Sequence, residues 1–292
     1  MKIKKELNIS IFTDESEYSF SEKGKDNLNF LLLSSLVVVD SKMNKIIKEC
    51  IGNKKLKELP EIHYKKLNKA DYIKRDLAKK YLKKITSYND DRSIFIVIST
   101  ILKNDLIIMK GKERKKSIEA IFTRVAITRA INRYVRKYNL NVSHICIDKG
   151  SITENHFFAK NAIHQINSKS KAKLPNKIIY VDSDTRKEKK FKKGAFFIQW
   201  SDLILGLYKN WIEQNPSKKF KLELTESFAP YLKLMKKNKC KYGKIVFYPK
   251  EKEKIFEGRN LMGNKEIKIY GKYKDPKYCK KIKPNKTKEV LI

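Results

Sequence analysis

The strongest constraint on this chain is the order in which its apolar patterns change period. Residues 8–14 (NISIFTD) and 29–40 (NFLLLSSLVVVD) are β-rich runs separated by a polar stretch containing Gly24, the pattern of two neighbouring strands. From residue 41 to about 86 the pattern is helical and charged, and Pro60 divides it into two amphipathic pieces. Residues 93–101 (SIFIVISTI) return to strand. A long helix follows over 115–138, with Ile118, Ile121, Phe122, Val125, Ile131 and Val135 on one side. Then come a strand at 142–148 (VSHICID), a helix at about 153–167, a strand at 177–182 (KIIYVD) and a helix at 197–213.

With 41–90 set aside as a helical insertion, the order is that of the ribonuclease H fold: three strands, a helix, a strand, a helix, a strand and a helix. This predicts an α/β fold with a ribonuclease-H-like mixed central sheet flanked by helices. In that layout the first and fourth strands are parallel neighbours near the middle, ~4.8 Å apart, so acids at their matching ends can share a metal. A chain of 292 residues sits at the size, roughly 250 to 300 residues, where one core stops growing. The expected division is a main domain over 1–215 and a small basic C-terminal appendage and tail over 216–292, which includes a short strand-like KIVFYP at 244–249.

Charge narrows the partner. Lys and Arg number 68 against 32 Asp and Glu, a formal +36, which attracts polyanions and makes nucleic acid, RNA or DNA, the first partner to consider. Biased coding toward Lys, Ile and Asn is the bland explanation of the same excess. Cys50, Cys146, Cys240 and Cys279 form no CxxC pair, so neither a zinc site nor a disulfide framework is indicated and a cytoplasmic protein with reduced thiols is expected. The longest apolar run, 28–39, is shorter than the ~20 residues of a membrane span and reads as a buried strand. No leader with a cleavage site is recognisable at the start of the chain.

The acids carry the chemistry. Water attack on a phosphodiester needs charge neutralisation, an activated nucleophile and a stabilised leaving oxygen, and two Mg2+ or Mn2+ ions about 3.5–4 Å apart supply all three. Asp14, followed by Glu15, ends the first strand, and Asp148 ends the fourth. Either acid alone is as well explained by an ordinary strand-ending turn. Together, at the same end of adjacent strands, they would repel without a cation. Asp202 shares a helix flank with Gln199, Gly206 and Lys209, and Gly206 suggests close backbone approach to the sheet. Glu61, next to His63 in PEIHYKK, and Glu119 on the long helix compete to complete the set. Asp182 and Asp184 precede a basic run suited to phosphate or simply to solvent. The four histidines are scattered, which recommends neither a histidine metal cluster nor a Ser/His/Asp triad.

IFTDESE at 11–17, PEIHY at 60–64, CID at 146–148, and VDSD followed by FIQWSDLILG together resemble one bacterial family, the domain of unknown function 3800 family. Its members open with a strand reading like YIDES followed by glycine, carry an acid with a nearby His or Lys, and close their core with a stretch like QxADxxxG. The resemblance covers 11–213 and implies a ribonuclease-H-like fold with Asp14, Asp148 and Asp202 as metal ligands and Glu15 and Glu61 as further candidates. Glu17 stands where the family has glycine and Ser201 where it often has alanine, and the first change predicts an altered turn beyond Glu15.

The leading expectation is therefore a divalent-metal-dependent nuclease, with a phage-defence or mobile-element setting implied by the resemblance alone. A non-catalytic nucleic-acid-binding protein of the same fold is the alternative. Hydrolysis of a small phosphate ester ranks third, because the positive charge is spread along the chain.

Overall fold

The computed structural model describes residues 4–20, 28–88, 93–102, 112–135, 137–149, 163–164, 166–167, 172–213, 219–236 and 243–248. The elements are β1 (Glu6–Phe20), β2 (Leu28–Val39), α1 (Asp40–Ile51), α2 (Tyr72–Ser87), β3 (Ile94–Leu102), α3 (Lys112–Val135), β4 (Asn139–Asp148), β5 (Ile179–Val181), α4 (Lys192–Glu213), α5 (Lys219–Lys236) and β6 (Gly243–Tyr248). Two short 3-10 turns, Leu56–Glu58 and Tyr64–Lys66, lie between α1 and α2. Of the helix expected at 153–167, only residues 163–164 and 166–167 are described, and they are helical. The remainder of that stretch, and the tail over 249–292, lie outside the described residues.

One six-stranded mixed sheet runs in the order β5-β4-β1-β2-β3-β6. β2 is antiparallel to β1 and β3, whereas β4 pairs in parallel with β1, β5 with β4, and β6 with β3. The first and fourth strands are thus parallel neighbours, as expected.

Strand alternation splits the core into two faces, because successive side chains point to opposite sides of a sheet. Phe12, Leu36, Val38, Ile98 and Cys146 face one side and pack with Ile46, Tyr81, Trp200, Leu207 and Phe228 of α1, α2, α4 and α5. Ile9, Ile11, Val37, Val97 and Ile147 face the other side and pack on Ile127, Ala130, Ile131 and Tyr134 of α3. Ser201 on α4 fastens that helix to the sheet by donating to the Phe12 carbonyl at 3.0 Å.

One expectation is corrected. β1 does not end at Asp14 and no turn follows Glu15: the strand runs to Phe20, with Asp14 opposite Ser34 and Glu17 opposite Leu31. The long apolar run of β2 supplies a pairing partner over that whole length, and pairing uses only the backbone, so acids are tolerated on alternate positions. Beyond 215, the described residues pack against the same sheet. Phe220, Leu224, Phe228, Leu232 and Met235 of α5 join the α4 side of the core, and β6 extends the sheet beside β3. A Cβ on Gly243 would lie 2.5 Å from the Ile96 carbonyl oxygen, so glycine lets β6 begin this close to β3. No helix among the described residues is long and apolar enough to cross a membrane.

Candidate functional site

A bulge decides where the key acids point. In β4, Leu140 and Val142 face α3, and the register against β1 then shifts between Ile9 and Ser10, so that Ser10 pairs with His144 rather than with Ser143. After this extra residue Ile145 and Ile147 face α3 instead, which turns His144, Cys146 and Asp148 toward α4. The last pair in the ladder is Thr13 with Ile147, so the next residue on each strand is an aspartate. Asp14 and Asp148 stand side by side on the α4 face, beyond the buried Phe12 and Cys146.

Asp202 comes to the same place from α4, one residue after the Ser201 anchor. The three line a cleft of about 330 Å³ with Glu15, Glu61 and His63. Lys65 and Lys66 are the cations lining the same cleft.

Burial pushes the Asp14 carboxyl well above the usual carboxylate range, and the charges of Asp202 and Asp148 push it further. The Glu15 N–H, donating to Asp14 Oδ1 at 2.8 Å, opposes this. Asp148 is pushed up to about 7, by burial first and then by Asp202 and Asp182, with His63 opposing. Its Oδ1 is buried and has no hydrogen-bond partner among the described residues. A carboxylate oxygen left bare in this way costs the fold free energy, which a cation would return.

The segment between α1 and α2 crosses the cleft as a strap, held by one flank of α4. Gln199 accepts from the Ile62 N–H at 3.2 Å and donates to the Ser183 carbonyl at 2.6 Å. Asp202 Oδ2 accepts from the Tyr64 N–H at 2.6 Å and from His63 Nδ1 at 2.9 Å. That second bond raises the His63 pKa, against the opposing effect of burial. Glu61 is held at the cleft by Ser183 Oγ at 3.3 Å and Lys66 Nζ at 3.1 Å.

Gly206 serves the same strap. A Cβ there would lie 2.1 Å from Cγ of Tyr64, so the glycine makes room for the Tyr64 ring, which corrects the expectation that it serves close approach to the sheet backbone. Lys209, last on this flank, donates to the Glu17 carbonyl at 3.3 Å.

The structure therefore brings Asp14, Glu15, Glu61, Asp148 and Asp202 to one cleft. The Glu119 side chain lies outside the described residues, and the described core residues of α3 pack on the opposite face of the sheet. Asp182 and Asp184 part company. Asp182 lies near enough to raise the Asp148 pKa, whereas Asp184 is 2 % exposed and pairs with Arg186 at 2.8 Å. The basic run that follows is folded by Glu188, which accepts from the N–H groups of Asp182, Lys190 and Phe191 at 2.9, 2.7 and 3.0 Å. Gln199 and Ser183 were not among the sequence candidates. The position of Gln199, three residues before Asp202 on the same flank, is the signal that marks it.

Among the described residues, no group of three or more His, Cys, Asp or Glu side chains is arranged to hold a metal ion directly. Magnesium makes a milder demand, one or two carboxylates with water and phosphate completing its shell. The carboxylates that the cleft presents for such an ion are Asp148, with its bare oxygen, and Asp14.

No family model matches the chain, and none of the curated proteins compared with it matches. Among solved structures, a chain of the PCNA:RNase HII complex from Archaeoglobus fulgidus superposes with a TM-score of 0.32 and 10% identity, over 76% of this chain and 89% of that one. Ribonuclease H2 from Pyrococcus horikoshii OT3 superposes with a TM-score of 0.31 and 14% identity, over 75% of this chain and 89% of that one.

Proposed function

We propose that this chain is a divalent-metal-dependent nuclease of ribonuclease-H-like fold, related to the domain of unknown function 3800 family. The observation that carries the reading is the unpartnered, buried Asp148 oxygen beside a second buried carboxylate, Asp14, at the centre of a mixed sheet. Asp14, Asp148 and Asp202 would hold Mg2+ or Mn2+, with Glu15 and Glu61 at hand. Bound there, the ions supply the charge neutralisation, nucleophile activation and leaving-group stabilisation that phosphodiester hydrolysis needs.

The chain's own residues do the rest. The strap carries Glu61 and His63 over the cleft, and Gln199 and Asp202 keep its backbone in place. Lys65 and Lys66 offer positive charge to a phosphate backbone entering the cleft, within a chain whose formal charge is +36. The formal +36 of the chain supports equally, as the second reading, a nucleic-acid-binding protein that does not cut.

Cleavage of end-labelled RNA, single-stranded DNA, duplex DNA and hybrid, with Mg2+, Mn2+ or chelator, separates the two. Metal-dependent cutting lost in both Asp14→Asn and Asp148→Asn supports the nuclease. Binding without cutting, unchanged in the variants, supports the second reading.

A further inference from the structure

A second recess lies directly behind the strap. It is a groove of about 560 Å³, within the size range of small-ligand sites, bounded by the end of α1, the strap and the first turns of α2. Glu58, Leu59 and Pro60 line the groove, while Glu61, Ile62 and His63, the next three residues, line the acidic cleft. The loop after β5 is shared in the same way, with Ser183 in the cleft and Arg186 in the groove.

The wall of the groove is mainly apolar, with Ile51, Leu59, Pro60 and Leu77 among its residues. Tyr72 and Ile73, 66% and 49% exposed, are the two large hydrophobic side chains left open to solvent among the described residues, and both belong to it. An exposed aromatic ring over an apolar recess is a stacking platform. Lys54 and Lys80 bring positive charge to the same place, while Arg186, also in the lining, is paired with Asp184 at 2.8 Å. Three acids also line the groove: Glu58 accepts from the Lys55 N–H at 3.1 Å, Asp71 accepts from the Lys74 N–H and ammonium, both at 3.0 Å, and Asp76 is the third.

We propose that this groove is a base-binding subsite for single-stranded nucleic acid, in which a base stacks on Tyr72 while the strand passes over the strap to the acidic cleft. The inference rests on the nucleic-acid reading of that cleft, but does not need the cleft to cut. An unpaired strand is the occupant because its bases are free to leave the stack, the groove adjoins the acidic cleft across the strap, and the chain as a whole carries a formal +36. In a duplex the bases are already stacked on one another.

Binding in chelator, where no cleavage occurs, tests the groove independently of the nuclease. Fluorescence anisotropy of a labelled single-stranded oligonucleotide, at one fixed salt concentration, compares the full-length wild type with Tyr72→Ala. The expected result is a loss of about tenfold in affinity, the scale of one stacked base, and little loss for an abasic strand of equal length. For Lys54→Gln or Lys80→Gln, the slope of log affinity against log salt falls by about 0.7 for each phosphate contact removed. Tyr72 lies at an exposed helix start, so the variant's thermal melt stays that of the wild type. Unchanged affinity in Tyr72→Ala, or an equal loss on the abasic strand, overturns the proposal, including the case where the groove binds a protein segment. Tyr72-dependent binding without cleavage by the wild type in any metal would sink the nuclease and leave the groove standing.

Discussion

β1 and β4 carry two polar clusters on the same face of the sheet, four residues apart along each strand, and they differ in how their hydrogen bonds close. In the first, the fully buried Ser10 donates to Asp40 at 2.7 Å and lies 3.0 Å from Nδ1 of His144, whose ring stacks on Phe191. In the second, Asp14 and Asp148 share their burial with mutual repulsion, and one Asp148 oxygen has no partner among the described residues. Buried polar groups are normally satisfied, so the first cluster behaves as part of the scaffold. The second holds three carboxylates of one sign together at the expense of stability. The side-chain inventory of a Ser, an Asp and a His is the more suggestive of catalysis, yet hydrogen-bond accounting points to the aspartates.

The largest effect expected from this contrast is on activity. Asp14→Asn or Asp148→Asn should lower metal-dependent cleavage by more than about a hundredfold, beyond the range for a residue that only supports a ligand. Ser10→Ala should leave the rate per folded molecule unchanged. A hundredfold loss in Ser10→Ala would reverse the assignment of the two clusters.

Stability against pH sharpens it next. Asp148 holds its proton more tightly in the fold than in the unfolded chain, because its folded pKa is raised to about 7. Its contribution to stability is therefore fully present below the unfolded carboxyl value and is lost as the pH rises through 7. Measured by urea unfolding in chelator, wild type should lose roughly 2–4 kcal/mol relative to Asp148→Asn between pH 4 and pH 7. Mg2+ should recover part of that loss at the upper end. Parallel curves for the two proteins would mean that the carboxylate is not strained.

Gly206→Ala tests the strap that carries Glu61 and His63. Replacing an unhindered helix glycine by alanine stabilises, by about 0.4–1 kcal/mol. Here the new methyl meets the Tyr64 ring, so a loss of about 2–3 kcal/mol in urea unfolding is expected, together with weaker cleavage. The smallest change is that of Ser10→Ala, about 1–2 kcal/mol, as Asp40 and His144 lose a buried partner. A neutral outcome would place water at the first cluster and weaken its scaffold role.

Much of this was legible along the chain. The β-rich runs at 8–14, 29–40, 93–101 and 142–148 fall within or across β1 to β4 with small shifts at their ends, and Pro60 lies between the two helices of the insertion. The five acids chosen from sequence, Asp14, Glu15, Glu61, Asp148 and Asp202, all line one cleft. Three readings were not legible. Gly206 answers a tyrosine ring that is 142 positions earlier in the chain, β1 continues beyond its acids because β2 is there to pair with it, and β6 belongs to the sheet.

By itself, the sequence determined the succession of strands and helices, the two apolar faces that alternation produces, and the placing of acids on the first and fourth strands. These follow from periodicity, which neighbours within a few residues set. The tertiary structure alone decided that the β4 bulge turns Asp148 to the α4 face, that Asp202 and Gln199 hold the strap, and that Tyr72 opens beside a groove behind it. Each of these depends on register or on contact between distant segments, where a one-residue shift sends a side chain to the other face of the sheet and leaves the local pattern unchanged.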